Sequence, residues 1–343
     1  MWRTLPFIVL VLAGGPAAAK PWDSRCGNAA VALPQWIAGC SAMIDSGELR
    51  GRELSMAYAR RGHAFTLTRK LSRAADDLEH AVDADPGYAV AYVNRANFYN
   101  VASKPERALA DANRAVELDP DLPLTYFVRA AAATELGDYD SAITDYSTAI
   151  KMRPNFAQLY DLRGRVYHKK GDEDRAIADY DERLRREMDA GTLLNRGDAR
   201  RNKKDWPGAA EDYSQAIRLA PGNSGGYKSR GFIRLVTQDF KGSVEDFTEA
   251  AKIQPNEAAI YTNRGSALSL LGERKRALTD YETAIRLEPK HPLNHVSRAM
   301  LLSEMGDREA ALISLRKALA LAPDFPPALE QLEKIQGRKH SSR

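Results

Sequence analysis

Apolar residues along most of this chain recur at i, i+3, i+4 and i+7, and the stretches with that period run for about a dozen residues before a polar break. The breaks alternate in kind. One kind holds a Gly-Asp or similar pair, as at Gly137-Asp138, Gly171-Asp172 and Gly306-Asp307, and the other holds a proline. The pattern predicts pairs of amphipathic helices. The prolines Pro86, Pro120, Pro154, Pro221, Pro255, Pro289 and Pro323 are spaced by 34, 34, 67, 34, 34 and 34 residues. The long gap therefore hides one repeat that lacks its proline, with Met188 in the empty slot, and one residue.

Aligned on those prolines, eight repeats begin at Ser55, Ala89, Pro123, Ala157, Ala190, Ser224, Ala258 and Pro292 and end near Phe325, covering 271 of 343 residues. Position 4 of the repeat is large: Tyr58, Tyr92, Tyr126, Tyr160, Leu193, Tyr227, Tyr261 and His295. Position 8 is always Gly or Ala, and position 20 is Ala in seven repeats and Ser243 in the other. Two helices presenting almost no side chain at facing positions can approach closely, so each repeat reads as a helix hairpin. Position 24 then supplies a large group in all repeats but the second.

These columns resemble the tetratricopeptide repeat (TPR) family, whose large, small, aromatic, Ala, aromatic, Ala, Pro series most of the repeats reproduce in register. The resemblance implies an all-α fold, a right-handed α-solenoid of eight TPR helix hairpins whose first helices line a concave side. Repeat 4 departs from the pattern at its end, where Arg183, Leu184, Arg185 and Arg186 replace the small-residue finish. A hairpin cannot bury its apolar face alone, so the array needs ends. Residues 20–54, with Trp36, Ile37, Cys40 and Ile44 on one helical face, form an N-terminal half-repeat cap; residues 326–337 form a C-terminal capping helix, and 338–343 a basic tail.

Arg3, an apolar stretch over residues 5–15 and Ala17-Ala18-Ala19 read as a secretory signal peptide, residues 1–19, cleaved after Ala19. As an uncleaved anchor the stretch is short of the roughly 20 residues a spanning helix needs. Export makes a Cys26–Cys40 disulfide the expected state of the two cysteines, against the alternative of two buried thiols. Ile37-Ala38-Gly39-Cys40 also resembles a lipobox, but it lies more than twenty residues beyond the apolar stretch.

Arg occupies position 7 in every repeat, from Arg61 to Arg298, and Asp occupies position 23 in all but the last, where Ser314 stands. The cap helix has Leu332 where the next Arg would fall, so the acid disappears where the following base disappears. That coincidence predicts a structural ladder pairing each Asp with the Arg of the next repeat: Asp77 with Arg95, Asp111 with Arg129, Asp145 with Arg163, Asp179 with Arg196, Asp212 with Arg230, Asp246 with Arg264 and Asp280 with Arg298. The alternative is a line of arginines for an anionic ligand, which paired charges would cancel.

By the family resemblance, positions 2, 5, 9, 12 and 13 face the concave groove. They include Val93 and Phe127 in the early repeats, then Asp161, Arg165, His168, Lys169, Asp198 and Arg201, then Lys228 and Phe232. Such a groove suits a protein or peptide partner with an acidic middle and apolar flanks, or these charges are ordinary solvated ones. The carboxylate-clamp arrangement of some TPR proteins is present only in fragments, at Asn97, Lys228 and Asn263.

A formal charge of +4, from 50 Lys plus Arg against 46 Asp plus Glu, is small for this length and argues against a nucleic-acid partner. Of the six histidines only His291 and His295 have metal-like spacing, with Pro292 between them and no third ligand. No P-loop, GxGxxG or GxSxG occurs. No catalytic residue, cofactor or metal is expected. The sequence reads as an exported scaffold, periplasmic or secreted, with no membrane span after signal cleavage; the alternative is an enzyme acting on envelope polymers with a site assembled from several repeats.

Overall fold

A computed structural model describes residues 24–28 and 30–337. The signal-peptide reading of residues 1–19 and the basic tail at 338–343 lie outside the described residues. Among the described residues the fold is all α, with eighteen helices and no strand. The helices are α1 Leu33–Asp45, α2 Gly51–Leu67, α3 Leu71–Ala84, α4 Ala89–Val101, α5 Pro105–Leu118, α6 Pro123–Glu135, α7 Tyr139–Met152 and α8 Gln158–Lys170. They continue as α9 Glu173–Arg186, α10 Ala190–Asn202, α11 Trp206–Leu219, α12 Ser224–Val236, α13 Phe240–Ile253, α14 Ala258–Leu270, α15 Arg274–Leu287, α16 Pro292–Glu304, α17 Arg308–Leu321 and α18 Pro326–Gln336. The chain divides into two compact bodies, Met1–Asp172 and Glu173–Arg343, and within each one hairpin stacks on the next.

The hairpin turn has one recurring requirement. Position 15 of all eight repeats adopts a left-handed backbone: Gly137, Gly171, Gly272 and Gly306 meet it without a side chain, and Arg69, Ser103, Lys204 and Gln238 meet it with φ of 58°, 56°, 62° and 67°. After the turn an acidic residue often starts the second helix, and Asp138, Asp205, Asp239 and Asp307 each accept a hydrogen bond from the backbone N–H three residues on.

The small column at position 8 does what its composition implies. A Cβ added at Gly197 would lie 2.6 Å from Cε1 of Tyr213, and one added at Gly62 would lie 2.7 Å from Cγ of Leu78, so the ring or branched group at position 24 uses the space a side chain would take. Tyr146, Tyr180, Tyr213 and Phe247 are among the largest fully buried side chains. The tyrosine and proline columns are also linked. Tyr126 and Tyr261 donate through their hydroxyls to the carbonyls of Pro120 and Pro255 at 2.9 Å. His295 stands in the tyrosine position and its Nε2 lies 3.1 Å from the Pro289 carbonyl, so this imidazole is a substitute for a phenol in the repeat register.

At the N-terminal end α1 packs on α2. Of the expected cap face, Trp36 and Cys40 are buried with Ala64 and Ile37 packs beside them, while Met43 and not Ile44 joins that cluster. Cys26 is bonded to Cys40, which is fully buried inside α1 and so is no lipidation site. Arg60 lies over Gly27 and donates to the Cys26 carbonyl at 3.2 Å, tying the disulfide loop to α2. Ser41 on α1 accepts from Nη1 of Arg61 at 3.0 Å, the same contact that second helices offer to the arginine of the following repeat further along. α1 therefore packs on α2 as a second helix packs on the first helix of the following repeat. At the other end Ala328, Leu332 and Ile335 of α18 cover α17, while Glu333 stands at position 8, where a further second helix would need a small residue.

Candidate functional site

The arginine and aspartate columns pair, but in a different register from the sequence expectation. Six of the arginines hold the aspartate of their own hairpin sixteen residues on: Arg61 with Asp77, Arg95 with Asp111, Arg129 with Asp145, Arg196 with Asp212, Arg230 with Asp246 and Arg264 with Asp280. Asp77 thus does not pair with Arg95, nor Asp212 with Arg230. The physical reason is the turn. Position 15 lies midway between 7 and 23, so two antiparallel helices folded about it bring those two positions face to face. In the last repeat Ser314 stands at position 23 and accepts from Arg298 at 2.7 Å.

The link between repeats comes from the remaining nitrogen of each guanidinium. Nη1 of Arg129, Arg230 and Arg264 reaches back to position 25 of the preceding repeat, to Asn113 at 3.2 Å, Ser214 at 3.0 Å and Thr248 at 3.3 Å. Arg163 does the same with Ser147 at 2.9 Å and Arg196 with Asp181 at 2.5 Å. The face of each guanidinium lies over the position-4 tyrosine one turn earlier, between 5.4 and 5.9 Å from the ring centre at Arg61, Arg95, Arg129, Arg163 and Arg264. Hydrogen bonds to the facing carboxylates hold the Arg61, Arg95, Arg129, Arg230 and Arg264 guanidiniums above their ordinary pKa, against the opposing effect of burial. These arginines are committed on both sides to the packing of the stack.

The predicted groove residues separate into three groups. Val93 and Phe127 do not line an open face: both are buried in the core around α4, α6 and α7, with Phe127 edge-on to Tyr146 at 6.3 Å. The first helices of these repeats are rich in alanine, including Ala91, Ala96, Ala130, Ala131, Ala132 and Ala133, so α4 and α6 lie against each other and close over position 5.

The charged group is internally engaged. In the N-terminal body, Asp161 and Arg165 are one turn apart on α8 at 4.0 Å. On the same helix, partial burial holds the Lys169 ammonium below its ordinary pKa, with Glu135 opposing and Arg165 adding to the effect. His168 lies half-buried in the last turn of α8. In the C-terminal body, Arg201 is 3.1 Å from Asp198, and Asp198 also accepts from the Tyr213 hydroxyl at 2.8 Å. Burial, then the neighbouring Asp198 carboxylate, raise the Tyr213 hydroxyl far above the ordinary phenol range. Lys228 bonds Glu257, the last residue of its own repeat, just before α14, at 2.8 Å.

The third group is apolar and exposed. Phe232 is 39% exposed and Val236, at position 13 of the same repeat and a groove position by the family resemblance, 44%; two further side chains share their character, Leu270 at 59% and Met300 at 42%. They stand at positions 9 and 13 of α12, α14 and α16, the row four residues apart that one face of a helix presents. Leu293 at position 2 of α16 is exposed as well. The signal for Leu270 and Met300 was in the sequence, as apolar residues at groove positions of repeats 7 and 8.

Sequence families described as tetratricopeptide repeat match residues 60–123, 258–291 and 294–325, and one described as TPR repeat matches 131–171. The chain is a tetratricopeptide repeat protein. Among solved structures, the C-terminal part of a TPR repeat-containing protein from Cytophaga hutchinsonii is similar with 20% identity and a TM-score of 0.60, over 70% of this chain and 99% of that one. A tetratricopeptide repeat protein from Parabacteroides merdae is similar with 16% identity and a TM-score of 0.54, over 72% and 98%. PilF of Pseudomonas aeruginosa is similar with 17% identity and a TM-score of 0.53, over 62% and 97%. At these identities the likeness is one of fold. A search of curated protein sequences found no match. Among the described residues of this TPR protein, no group of His, Cys, Asp and Glu is arranged to hold a metal ion, and no helix is long and apolar enough to cross a membrane.

Proposed function

We propose that this TPR protein is an exported scaffold that binds a protein or peptide partner through the first-helix faces of its repeats. The observation that carries this reading is the row of exposed large apolar side chains Phe232, Val236, Leu270 and Met300 on three successive first helices. Apolar groups of this size, presented together on one side of stacked helices, favour an apolar helix or strand laid across them. The Cys26–Cys40 bond is consistent with an oxidising compartment, and with the signal-like residues 1–19 it supports export to the periplasm or beyond. The domain scheme of cap, eight repeats and capping helix is the frame of this proposal. Asp198 and Arg201, in the same compact body as the apolar row, give the partner polar contacts, of the kind that set register more than affinity.

The test is photocrosslinking in living cells from probes placed in turn at Phe232 and Met300. Capture of the same envelope protein at both sites, lost in Leu270→Glu while the thermal transition of the purified chain is unchanged, is the expected outcome. Capture unaffected by Leu270→Glu would refute the assigned face. Turnover of an envelope polymer by the purified chain would favour the enzymatic alternative.

A further inference from the structure

Position 11 of the repeat, on the side of the first helix opposite positions 9 and 13, is filled by a large side chain in seven repeats: Phe65, Tyr99, Tyr167, Arg200, Arg234, Leu268 and Leu302. Repeat 3 has Ala133. Above that alanine, against α5 and α7, is an open cleft of about 520 Å³ whose lining includes Leu109, Leu136, Asp138, Ser141 and Asp145.

Repeats 5 and 6 show what belongs in such a place. Nη1 of Arg200 donates to the carbonyl of Gly208 at 3.3 Å and to Oδ2 of Asp212 at 2.9 Å, and its Nε lies 3.9 Å from the Asp205 carboxylate. Nη1 of Arg234 donates to the carbonyl of Gly242 at 3.1 Å and to Oδ2 of Asp246 at 2.9 Å, and its Nε lies 3.4 Å from Asp239. The guanidinium seat is thus built from three acceptors: the helix-capping carboxylate at position 16, the carbonyl at position 19 and the ladder carboxylate at position 23.

Repeat 3 has all three, in Asp138, the Ser141 carbonyl and Asp145, and lacks only the guanidinium. Asp138 caps α7 through the backbone N–H of Ser141, as Asp205 and Asp239 cap their helices through Gly208 and Gly242, and the Ser141 hydroxyl also bonds to it. Asp145 receives two bonds from Arg129 at 2.7 Å. Asp212 receives three contacts from Arg196 and still accepts Arg200, so a ladder carboxylate has room for another donor. Repeats 1 and 2 carry Lys70 and Lys104 at position 16, with Arg73 and Arg107 over the rings of Phe65 and Tyr99, whereas repeats 4 and 7 keep an acid there, Asp172 and Glu273, and fill position 11 with Tyr167 and Leu268.

We propose that repeat 3 carries a vacant seat for an alkylguanidinium, the group of an arginine side chain, with Asp138, Asp145 and the Ser141 carbonyl as acceptors and Leu109 and Leu136 flanking its methylenes. A planar fork of donors suits two carboxylates and a carbonyl better than the compact ammonium of lysine. The seat is separate from the apolar row of repeats 6 to 8, and neither reading depends on the other.

The full chain is titrated with agmatine and with Nα-acetyl-arginine N-methylamide, and with cadaverine and the matching lysine amide, following amide NMR shifts around the α6–α7 turn. The guanidino compounds bind saturably and at least about tenfold more tightly than their ammonium counterparts, and Asp138→Asn weakens them about tenfold. Ala133→Arg supplies the guanidinium from within the chain, so it raises the melting temperature and abolishes binding. Tighter binding of the arginine amide assigns the seat to a protein side chain, and tighter binding of agmatine to a free guanidine. A second arm needs no change at repeat 3: Arg200→Ala opens the same seat in repeat 5 and lowers the melting temperature, which agmatine then partly restores. Equal affinity for ammonium and guanidino compounds, undiminished binding to Ala133→Arg, or no restoration of Arg200→Ala overturns the proposal.

Discussion

Asp212 is the most fully enclosed of the ladder carboxylates, with no exposed side-chain surface and two arginines, Arg196 and Arg200, bonded to it. Asp212→Asn keeps its shape and removes its charge, leaving both guanidiniums facing a neutral amide in a buried seam. Removing one partner of a buried pair costs about 3–5 kcal/mol, and the larger part of that is the stranded charge. Arg196→Met removes the stranded group, so the double variant recovers part of the loss. The bonds from Arg196 to Asp212, the shortest at 2.6 Å, put the coupling energy at about 2 kcal/mol. The control cycle is Asp212→Asn with Arg230→Met, the pair that the sequence coincidence had suggested. Arg230 is committed to Asp246 and Ser214, so the two losses add within about 0.5 kcal/mol. Urea unfolding of the full chain gives the free energies, and hydrogen exchange on α10 and α11 shows that the effect is local, which matters because a repeat array need not unfold in one step. A larger coupling to Arg230 than to Arg196 would refute the hairpin-internal ladder.

Two further outcomes follow from the same coordinates. Lys204→Gly and Gln238→Gly relieve a left-handed backbone carried by a residue with a Cβ, so each raises stability by up to about 1 kcal/mol in thermal or urea melts; a loss at both would contradict the turn geometry. His63 is partly buried beside Trp36, with ring centres 6.0 Å apart, and desolvation holds its imidazole down to about 4 from an ordinary 6.5. The unfolded chain therefore takes up this proton first as pH falls, and the contribution of His63, intact above 6.5, is lost between 6.5 and 4, amounting to about 3 kcal/mol at the acid end. His63→Phe keeps the aromatic packing and removes that component. The stability difference between the two proteins should change steadily from pH 7 to 4.5, and a constant difference would show that His63 is solvated.

Which parts of this were legible in the sequence depends on how far apart the interacting residues are in the repeat. The hairpins, the small and large columns and the cap face of Trp36, Ile37 and Cys40 follow from helical period and side-chain volume, both local properties. The ladder residues were identifiable as a set, since a charge repeated in register at position 7 is not a solvated accident. Their pairing does not follow from the common end of the two columns at Ser314 and Leu332; it follows from the symmetry of positions 7 and 23 about the turn at 15. The tyrosine under each arginine and the tyrosine-to-proline bond lie three and six residues apart, and both were available from spacing.

Other features were settled only by packing. Val93 and Phe127 occupy groove positions by repeat number, yet alanine-rich first helices closed over them, while Phe232 at the corresponding face of a later repeat stayed open. Periodicity fixes which side of a helix a residue is on; it does not fix how near the next helix comes, because that distance is set by the summed volumes of side chains from several elements. The same holds for the cleft over Ala133, where one alanine in a column of large groups left three acceptors assembled around a space. Sequence alone determined the repeat, its hairpins and the identity of its recurring charges, since each depends on neighbours within one turn or one hairpin. Tertiary structure decided which of those groups are spent on the stack and which still face outward, since burial belongs to the assembled helices and to none of them singly.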